Sequence, residues 1–323
     1  MIEMRLPSGK TTSRIVFGGD RLQARRWLLL PDHAKRRELF ALLDAAVDLG
    51  VTTFDTARAY GQSERVLGAW IKERRNADRI CLCTKLGCPD WRRRSRLGAR
   101  EIRGDFETSL RELGTDHVDL LFVHYDDPAV NVEPIMEELA RFVEQGKVGV
   151  IGASNWHHAR VAAANDYAQR AGLPPYAAVS AHFGLVPWAA PPWPGACQLS
   201  GPAHADARDF YTAAQLPVFI WASLAFGFFA DAYDPRAPRA TFRSRWIARS
   251  FGSEANHARL ERVRQYARER GLSAAQVALA FSLNQSFPTH CIVGCSTRGK
   301  LADCVAALGV RLEPEAIGSL LRE

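Results

Sequence analysis

Short apolar runs, rich in β-branched or aromatic residues, alternate along this chain with stretches of helical periodicity. That alternation constrains the fold more than any other feature. Three of the runs set the pattern: Val51-Thr52-Thr53-Phe54 ends in Asp55, Ile80-Cys81-Leu82-Cys83-Thr84 ends in Lys85, and Val118-Asp119-Leu120-Leu121-Phe122-Val123 ends in His124. Each run is too short for a helix and reads as a buried parallel strand. Each delivers one ionisable group at its C-terminal end. Tyr60 follows just past the first, in Asp55-Thr56-Ala57-Arg58-Ala59-Tyr60-Gly61.

The rest of the chain extends the alternation. An N-terminal β-hairpin turns at Pro7-Ser8-Gly9-Lys10, and a strand over 12–17 ends at Gly18-Gly19, where glycine lets backbone approach a neighbour closely. After an irregular segment, a helix is expected over 34–49, with Leu39, Leu42, Leu43, Ala46 and Val47 on one face and Gly50 as C-cap. Ser63 is expected to cap a helix over 63–75 whose buried stripe is Val66, Leu67, Trp70 and Ile71. Further helices are expected over 99–114, 134–145, 158–171, 206–215, 255–270, 273–284, 300–308 and 314–321. Further strands are expected over 148–152, 177–183, 218–221 and 291–293. A Pro- and Trp-rich stretch, 186–202, has little helix or strand character. An Arg- and Pro-rich loop is expected to run up to Gly252.

Such alternation implies a parallel sheet with helices outside. About eight even β/α units fit a single (β/α)8 TIM barrel over 1–323, with extra C-terminal helices, better than a doubly wound sheet. Chemistry in that fold sits at the C-terminal ends of the strands. Asp55, Lys85, His124, Ser154 and Asn155 fall there.

Composition narrows the function classes. Hydrophobic residues at 47% and charged residues at 24% of 323 are those of a globular protein. The net charge of +7 either favours a phosphorylated ligand or reflects solubility alone. Trp91-Arg92-Arg93-Arg94-Ser95-Arg96 resembles a nucleic-acid patch, but reads better as a solvated loop. No helix-turn-helix, zinc-finger or aromatic-repeat pattern supports it, so no nucleic-acid partner is expected. Seven cysteines, largely inside apolar runs, read as small buried thiols of a reducing compartment. Cys81-Leu82-Cys83 lacks metal or redox spacing. With no signal segment and no apolar run near the roughly 18 residues of a membrane span, the expectation is a cytoplasmic protein with no membrane partner. Oligomeric state is left open.

Singly, the four groups have structural alternatives: Asp55 as a cap, Tyr60 as an interface aromatic, Lys85 in a rim ion pair, His124 as a satisfied core histidine. Jointly they form an apparatus for protonating an oxygen. A phenol with an ordinary pKa near 10 is a poor acid at neutral pH. An adjacent ammonium is expected to lower that pKa, and an aspartate to hold the ammonium. A histidine can orient a carbonyl or relay the proton. Hydride would then come from a nicotinamide.

These motifs resemble the aldo-keto reductase superfamily. The resemblance is carried by Phe54-Asp55-Thr56-Ala57-Arg58-Ala59-Tyr60-Gly61-Gln62-Ser63-Glu64, Thr84-Lys85, the run from Val118 to His124, Gly152-Ala153-Ser154-Asn155 and Gly294-Cys295-Ser296. It implies NADPH-dependent reduction of an aldehyde or ketone without metal. Tyr60 would be the general acid, Lys85 and Asp55 its tuning pair, and His124 the carbonyl-orienting group. Ser154 and Asn155 would hold the nicotinamide carboxamide and Trp221 would stack on its ring. Leu224 and Gly227 fall where backbone amides approach the pyrophosphate. Ser296, Arg298 and Lys300 fall at the adenosine 2′-phosphate, and Gly19 and Gly294 are placed on the cofactor side with them. The chain departs from the family pattern at three places. A sixth-strand glutamine becomes Ser180 or Ala181, the strand-seven aromatic-Ser-Pro becomes Trp221-Ala222-Ser223, and an adenine-side asparagine becomes Cys304. Trp91, Trp188 and Trp193 are candidates for the substrate pocket. Two other readings stand beside this one: a cofactor-sensing regulatory barrel, and a lyase forming a Schiff base on Lys85.

Overall fold

The computed structural model describes residues 3–22, 33–230, 233–234 and 241–322. Eight parallel strands follow one another in chain order around a closed barrel, so the expected (β/α)8 architecture is the one observed. By internal packing the chain divides into two compact units, Met1–Ser180 with Gly294–Arg298, and Ala181–Val293 with Gly299–Glu323.

The first unit carries β1 (Ile15–Gly18), α1 (His33–Asp48), β2 (Thr53–Asp55), α2 (Ser63–Arg74), β3 (Cys81–Leu86), α3 (Ala99–Leu113), β4 (Val118–Val123), α4 (Val132–Glu144), β5 (Val148–Ser154), α5 (His158–Ala171) and most of β6 (Tyr176–His182). Ahead of β1, Arg5 bridges Thr11 across the expected turn. The core strands are buried along their whole length because helices cover one face and neighbouring strands fill the other. Parallel register places Phe17 beside Phe54, Asp55 beside Cys83, Lys85 beside Phe122 and Ser154 beside Ser180. Close packing leaves no room for a side chain at Gly152, where a Cβ would meet the Phe122 ring at 2.6 Å and the Ala178 carbonyl oxygen at 2.7 Å.

The second unit carries α6 (Ala205–Ala214), β7 (Val218–Trp221), α7 (Phe242–Phe251), α8 (Glu254–Glu269), α9 (Ala274–Leu283), β8 (Thr289–Val293), most of α10 (Arg298–Ala306) and α11 (Pro314–Leu321). Val218 of β7 pairs with Thr289 of β8, and Ile220 with Cys291.

Some expectations are corrected. The Arg- and Pro-rich stretch before Gly252 is not all loop. Part of it, 231–232 and 235–240, lies outside the described residues, as does most of the irregular segment before α1, but 242–251 is the helix α7. Thr241 and Ser244 close a reciprocal capping box there: Thr241 Oγ1 accepts from the Ser244 amide at 3.0 Å, and Ser244 Oγ accepts from the Thr241 amide at 2.8 Å. A serine in the place of the usual Glu or Gln hides this signal. Ser63 does not cap α2. Gln62 is the N-cap residue, and Ser63 Oγ instead donates to the Gly19 carbonyl at 2.8 Å. Ile71, Leu42 and Val47 are half-buried at the edges of their stripes, and Phe40 is buried in α1.

Candidate functional site

Three strand ends and one loop assemble the four expected groups within the first unit. Lys85 Nζ donates to Asp55 Oδ1 at 2.5 Å, to the Thr56 carbonyl at 3.0 Å and to the Tyr60 hydroxyl at 3.4 Å. The same ammonium lies 4.9 Å from the Tyr60 ring centre. Tyr60 meets the His124 ring edge-on, with centroids 5.6 Å apart and planes at 82°. Asp55 and Lys85 are each 2% exposed and His124 6%. An ammonium this buried requires a carboxylate, because an unpaired buried charge is costly.

The loop carrying Tyr60 is laid along β3 by the main chain. The Thr56 amide donates to the Cys83 carbonyl and the Arg58 amide to the Lys85 carbonyl, each at 2.9 Å. Buried side chains fix it further. Thr56 Oγ1 donates to Ser63 Oγ at 2.8 Å, and Ser63 donates on to Gly19. A Cβ on Gly19 would sit 2.6 Å from the Asp55 carbonyl oxygen and 2.8 Å from Ser63 Oγ, so only glycine lets these segments meet. Glu64, 1% exposed, accepts from Thr84 Oγ1 at 2.7 Å and pairs with Arg58.

The electrostatics differ from expectation at Tyr60. Its phenol is held well above the ordinary 10, first by burial and then by the carboxylates of Asp55 and Asp20. The Lys85 ammonium, itself paired with Asp55 at hydrogen-bond distance, does not offset that rise. Burial pushes the Asp55 carboxyl up while the Lys85 ammonium opposes that rise. Burial, and then the Lys85 ammonium, hold His124 well below the ordinary 6.5. Both the phenol and the imidazole are therefore neutral at neutral pH. His124 Nδ1 is buried with no hydrogen-bond partner among the described residues.

Beside this group, Asn155 adopts a left-handed conformation (φ 60°) and its Nδ2 donates to the His124 carbonyl at 3.1 Å and to Ser154 Oγ at 3.2 Å. The Asn155 amide donates to the Ser180 carbonyl at 2.9 Å, while Ser180 Oγ is buried without a partner among the described residues. Ser180, rather than Ala181, is the residue in register with Ser154. Gly294 and Ser296 are exposed past β8, and the Arg298 guanidinium donates to Asp48 at 3.0 Å. Trp91 is 84% exposed, in a loop organised by Asp90, with the Arg92 guanidinium 4.5 Å from its ring centre.

The second unit holds the other candidates. Trp221 ends β7, and Ala222, Ala225 and Phe226 after it all have positive φ, at 50°, 48° and 56°. Strained backbone of this kind clusters at ligand sites. The Gly227 amide is already donated to the Leu224 carbonyl at 2.9 Å. Ser223 Oγ donates to the Ile292 carbonyl at 3.0 Å. Lys300 is exposed and Cys304 buried on α10.

The model of the aldo/keto reductase family matches residues 14–321 of this chain. The chain belongs to that family. It is an oxidoreductase. Norsolorinic acid reductase stcV of Emericella nidulans is 29% identical across 93% of this chain and 74% of its own length. Versiconal hemiacetal acetate reductase of Aspergillus parasiticus is 27% identical across 96% and 93%. Aldo-keto reductase YhdN of Bacillus subtilis is 39% identical over a shorter stretch, 35% of each chain.

Two features depend on the fold rather than on any linear motif. Glu64, Arg58 and Thr84 were visible within the quoted motifs, but their mutual pairing needs the β2–β3 register. His182 was not singled out, although it lies two residues beyond Ser180 and so shares its strand face. It is 1% exposed, with Nδ1 3.3 Å from the Trp221 carbonyl oxygen, and burial lowers its pKa to about 4. Among the described residues no cluster of three or more His, Cys, Asp or Glu side chains is arranged to hold a metal. No helix among them is long and apolar enough to cross a membrane.

Proposed function

We propose that the protein reduces an aldehyde or ketone to the alcohol, with Tyr60 as the general acid and NADPH as the hydride donor. The observation that carries this reading is the buried ammonium of Lys85, held by Asp55 and directed at the hydroxyl of Tyr60. A neutral phenol has a proton to give. As it gives it, the Lys85 ammonium 3.4 Å away stabilises the phenolate that forms. His124, neutral and with an unpartnered buried ring nitrogen, is suited to hold the carbonyl oxygen by a hydrogen bond.

The residues present fit a nicotinamide cofactor. Ser180 offers a buried, unpartnered hydroxyl to the carboxamide, beside Ser154 and Asn155. Trp221 offers a half-buried ring face. Ser296, Arg298 and Lys300, all exposed, suit a 2′-phosphate. When bound, the cofactor supplies hydride. Relatives named as norsolorinic acid reductase and versiconal hemiacetal acetate reductase support a carbonyl substrate.

The test is turnover: NADPH oxidation with a panel of aldehydes and ketones. Carbonyl-dependent oxidation with formation of the alcohol is expected. Cofactor binding with no turnover on any carbonyl would replace this reading by a cofactor-sensing role. Trapping of substrate on Lys85 by borohydride would replace it by a lyase.

A further inference from the structure

Tyr60 stands on a turn, and its own main chain is bonded within that turn. Its amide donates to the Ala57 carbonyl at 2.9 Å, and its carbonyl accepts from the Ser63 amide at 3.0 Å. Its hydroxyl lies 3.4 Å from Lys85 Nζ, near the outer limit of a hydrogen bond. A small drift of the turn away from β3 would break this contact. Asp55 and the Thr56 carbonyl, at 2.5 Å and 3.0 Å, would still hold the ammonium. The seat of the turn on β3 is therefore set by whatever fastens its ends.

A single carboxylate fastens both. Glu64 follows the turn as the second residue of α2 and is 1% exposed. Its Oε2 pairs with the Arg58 guanidinium and so closes the turn on itself. Its Oε1 accepts from Thr84 Oγ1 at 2.7 Å. Glu64 thus joins the residue two before Tyr60 to the residue before Lys85. Successive side chains leave a strand on opposite faces, so Thr84 meets Glu64 behind β3, on the side away from the Lys85 ammonium. The other tie of the turn runs through Thr56 and Ser63 to the Gly19 carbonyl, at the end of β1 rather than on β3. An ion pair with a buried member adds little net stability over apolar residues of the same volume. What apolar residues cannot supply is the direction of charge-assisted hydrogen bonds.

We propose that Glu64 is a positioning residue: through Arg58 and Thr84 it holds the Tyr60 hydroxyl against the Lys85 ammonium. Proton delivery then depends on a carboxylate that never meets the substrate. The effect on turnover rests on the reductase reading; the effect on the distance between Lys85 and Tyr60 does not.

The test is Thr84→Val in the full chain, which keeps the shape of the side chain and removes the hydroxyl that ties Glu64 to β3. Crystal structures of wild type and variant read the distance from Lys85 Nζ to the Tyr60 hydroxyl. Single-turnover oxidation of bound NADPH by excess butanal, in ordinary and in deuterated water, reads proton delivery free of product release. The distance is expected to open beyond hydrogen-bond reach. The single-turnover rate is expected to fall about tenfold to a hundredfold, with a larger solvent isotope effect as proton transfer comes to limit the step. NADPH affinity is expected to stay at the wild-type value, and Thr84→Ser, which restores the hydroxyl, to recover distance and rate. A merely structural role would lower Tm and leave the isotope effect of the folded enzyme unchanged. An unchanged distance, an unchanged rate, a slower rate with the wild-type isotope effect, or a Thr84→Ser as slow as Thr84→Val each overturns the proposal. If Thr84→Val does not fold, the same measurements are made on Glu64→Gln and Arg58→Lys. A wider gap with a slower rate in either supports the proposal, and wild-type values in both overturn it. If the wild-type protein turns over no carbonyl, the reductase reading falls, and the distance alone decides whether Glu64 positions Tyr60.

Discussion

Removing one oxygen atom separates the catalytic reading from a structural one. In Tyr60→Phe the ring keeps its edge-on contact with His124 and its place 4.9 Å from the Lys85 ammonium. The hydrogen bond that is lost is long, 3.4 Å, so its net worth is at most about 1 kcal/mol. Lys85 also keeps two acceptors, Asp55 and the Thr56 carbonyl, and no buried charge is orphaned. A loss of that size shifts Tm by no more than about 2–4 °C. The catalytic cost is much larger. A positioned general acid contributes roughly 100- to 10,000-fold, or about 3–5 kcal/mol in the barrier. Turnover of an aldehyde should therefore fall by at least about a hundredfold, followed as NADPH oxidation under saturating cofactor. Cofactor affinity, measured by fluorescence titration, should stay close to wild type. A variant that keeps more than a tenth of wild-type turnover would refute the assignment of the proton to Tyr60.

Three further outcomes are expected. His182 has its pKa lowered from 6.5 to about 4, so the unfolded chain binds a proton that the folded one refuses. Stability then falls as pH drops below 6.5, by about 2 kcal/mol from this residue at pH 5. His182→Phe should narrow the gap between urea unfolding free energies at pH 7 and pH 5, and an unchanged gap would show that the ring is not neutral in the fold. Arg58→Met strands the buried Glu64 carboxylate, whereas Glu64→Gln leaves a partly exposed guanidinium, so the first should cost more, up to about 3–5 kcal/mol; calorimetric Tm values ranked the other way would contradict this. Lys300→Ala should raise the Kd for NADPH far more than that for NADH, and equal loss for both would remove Lys300 from the 2′-phosphate.

The barrel and the four central residues were legible because they depend on local signals. Parallel strands in this fold are continuous apolar runs, and Lys85 or His124 stands out at the end of such a run. What stayed hidden depends on register or on three-dimensional company. The height of the Tyr60 pKa follows from burial and from Asp55 and Asp20, and no linear motif encodes how deeply the phenol is buried. The helix α7 was obscured by a serine in its capping box. Trp188 and Trp193 were visible as pocket candidates, but their stacking on Trp221 and Trp246 joins residues from separate elements. Ser63 illustrates the converse: its place before a helical stripe argues for a cap, yet its hydroxyl serves the Gly19 carbonyl instead.

The Lys85–Asp55 pair also acts on strand alignment. Side chains alternate sides along β3, so a slip of one residue against β2 would exchange Lys85 for Thr84 or Leu86. The ammonium would then leave Asp55 alone in an apolar interior, at a cost of several kcal/mol. The charge pair thus works as a register key, discriminating against mispaired barrels before any substrate arrives. Recovered activity in a refolding experiment would then count correctly aligned strands, which a spectroscopic measure of β content cannot distinguish from slipped ones.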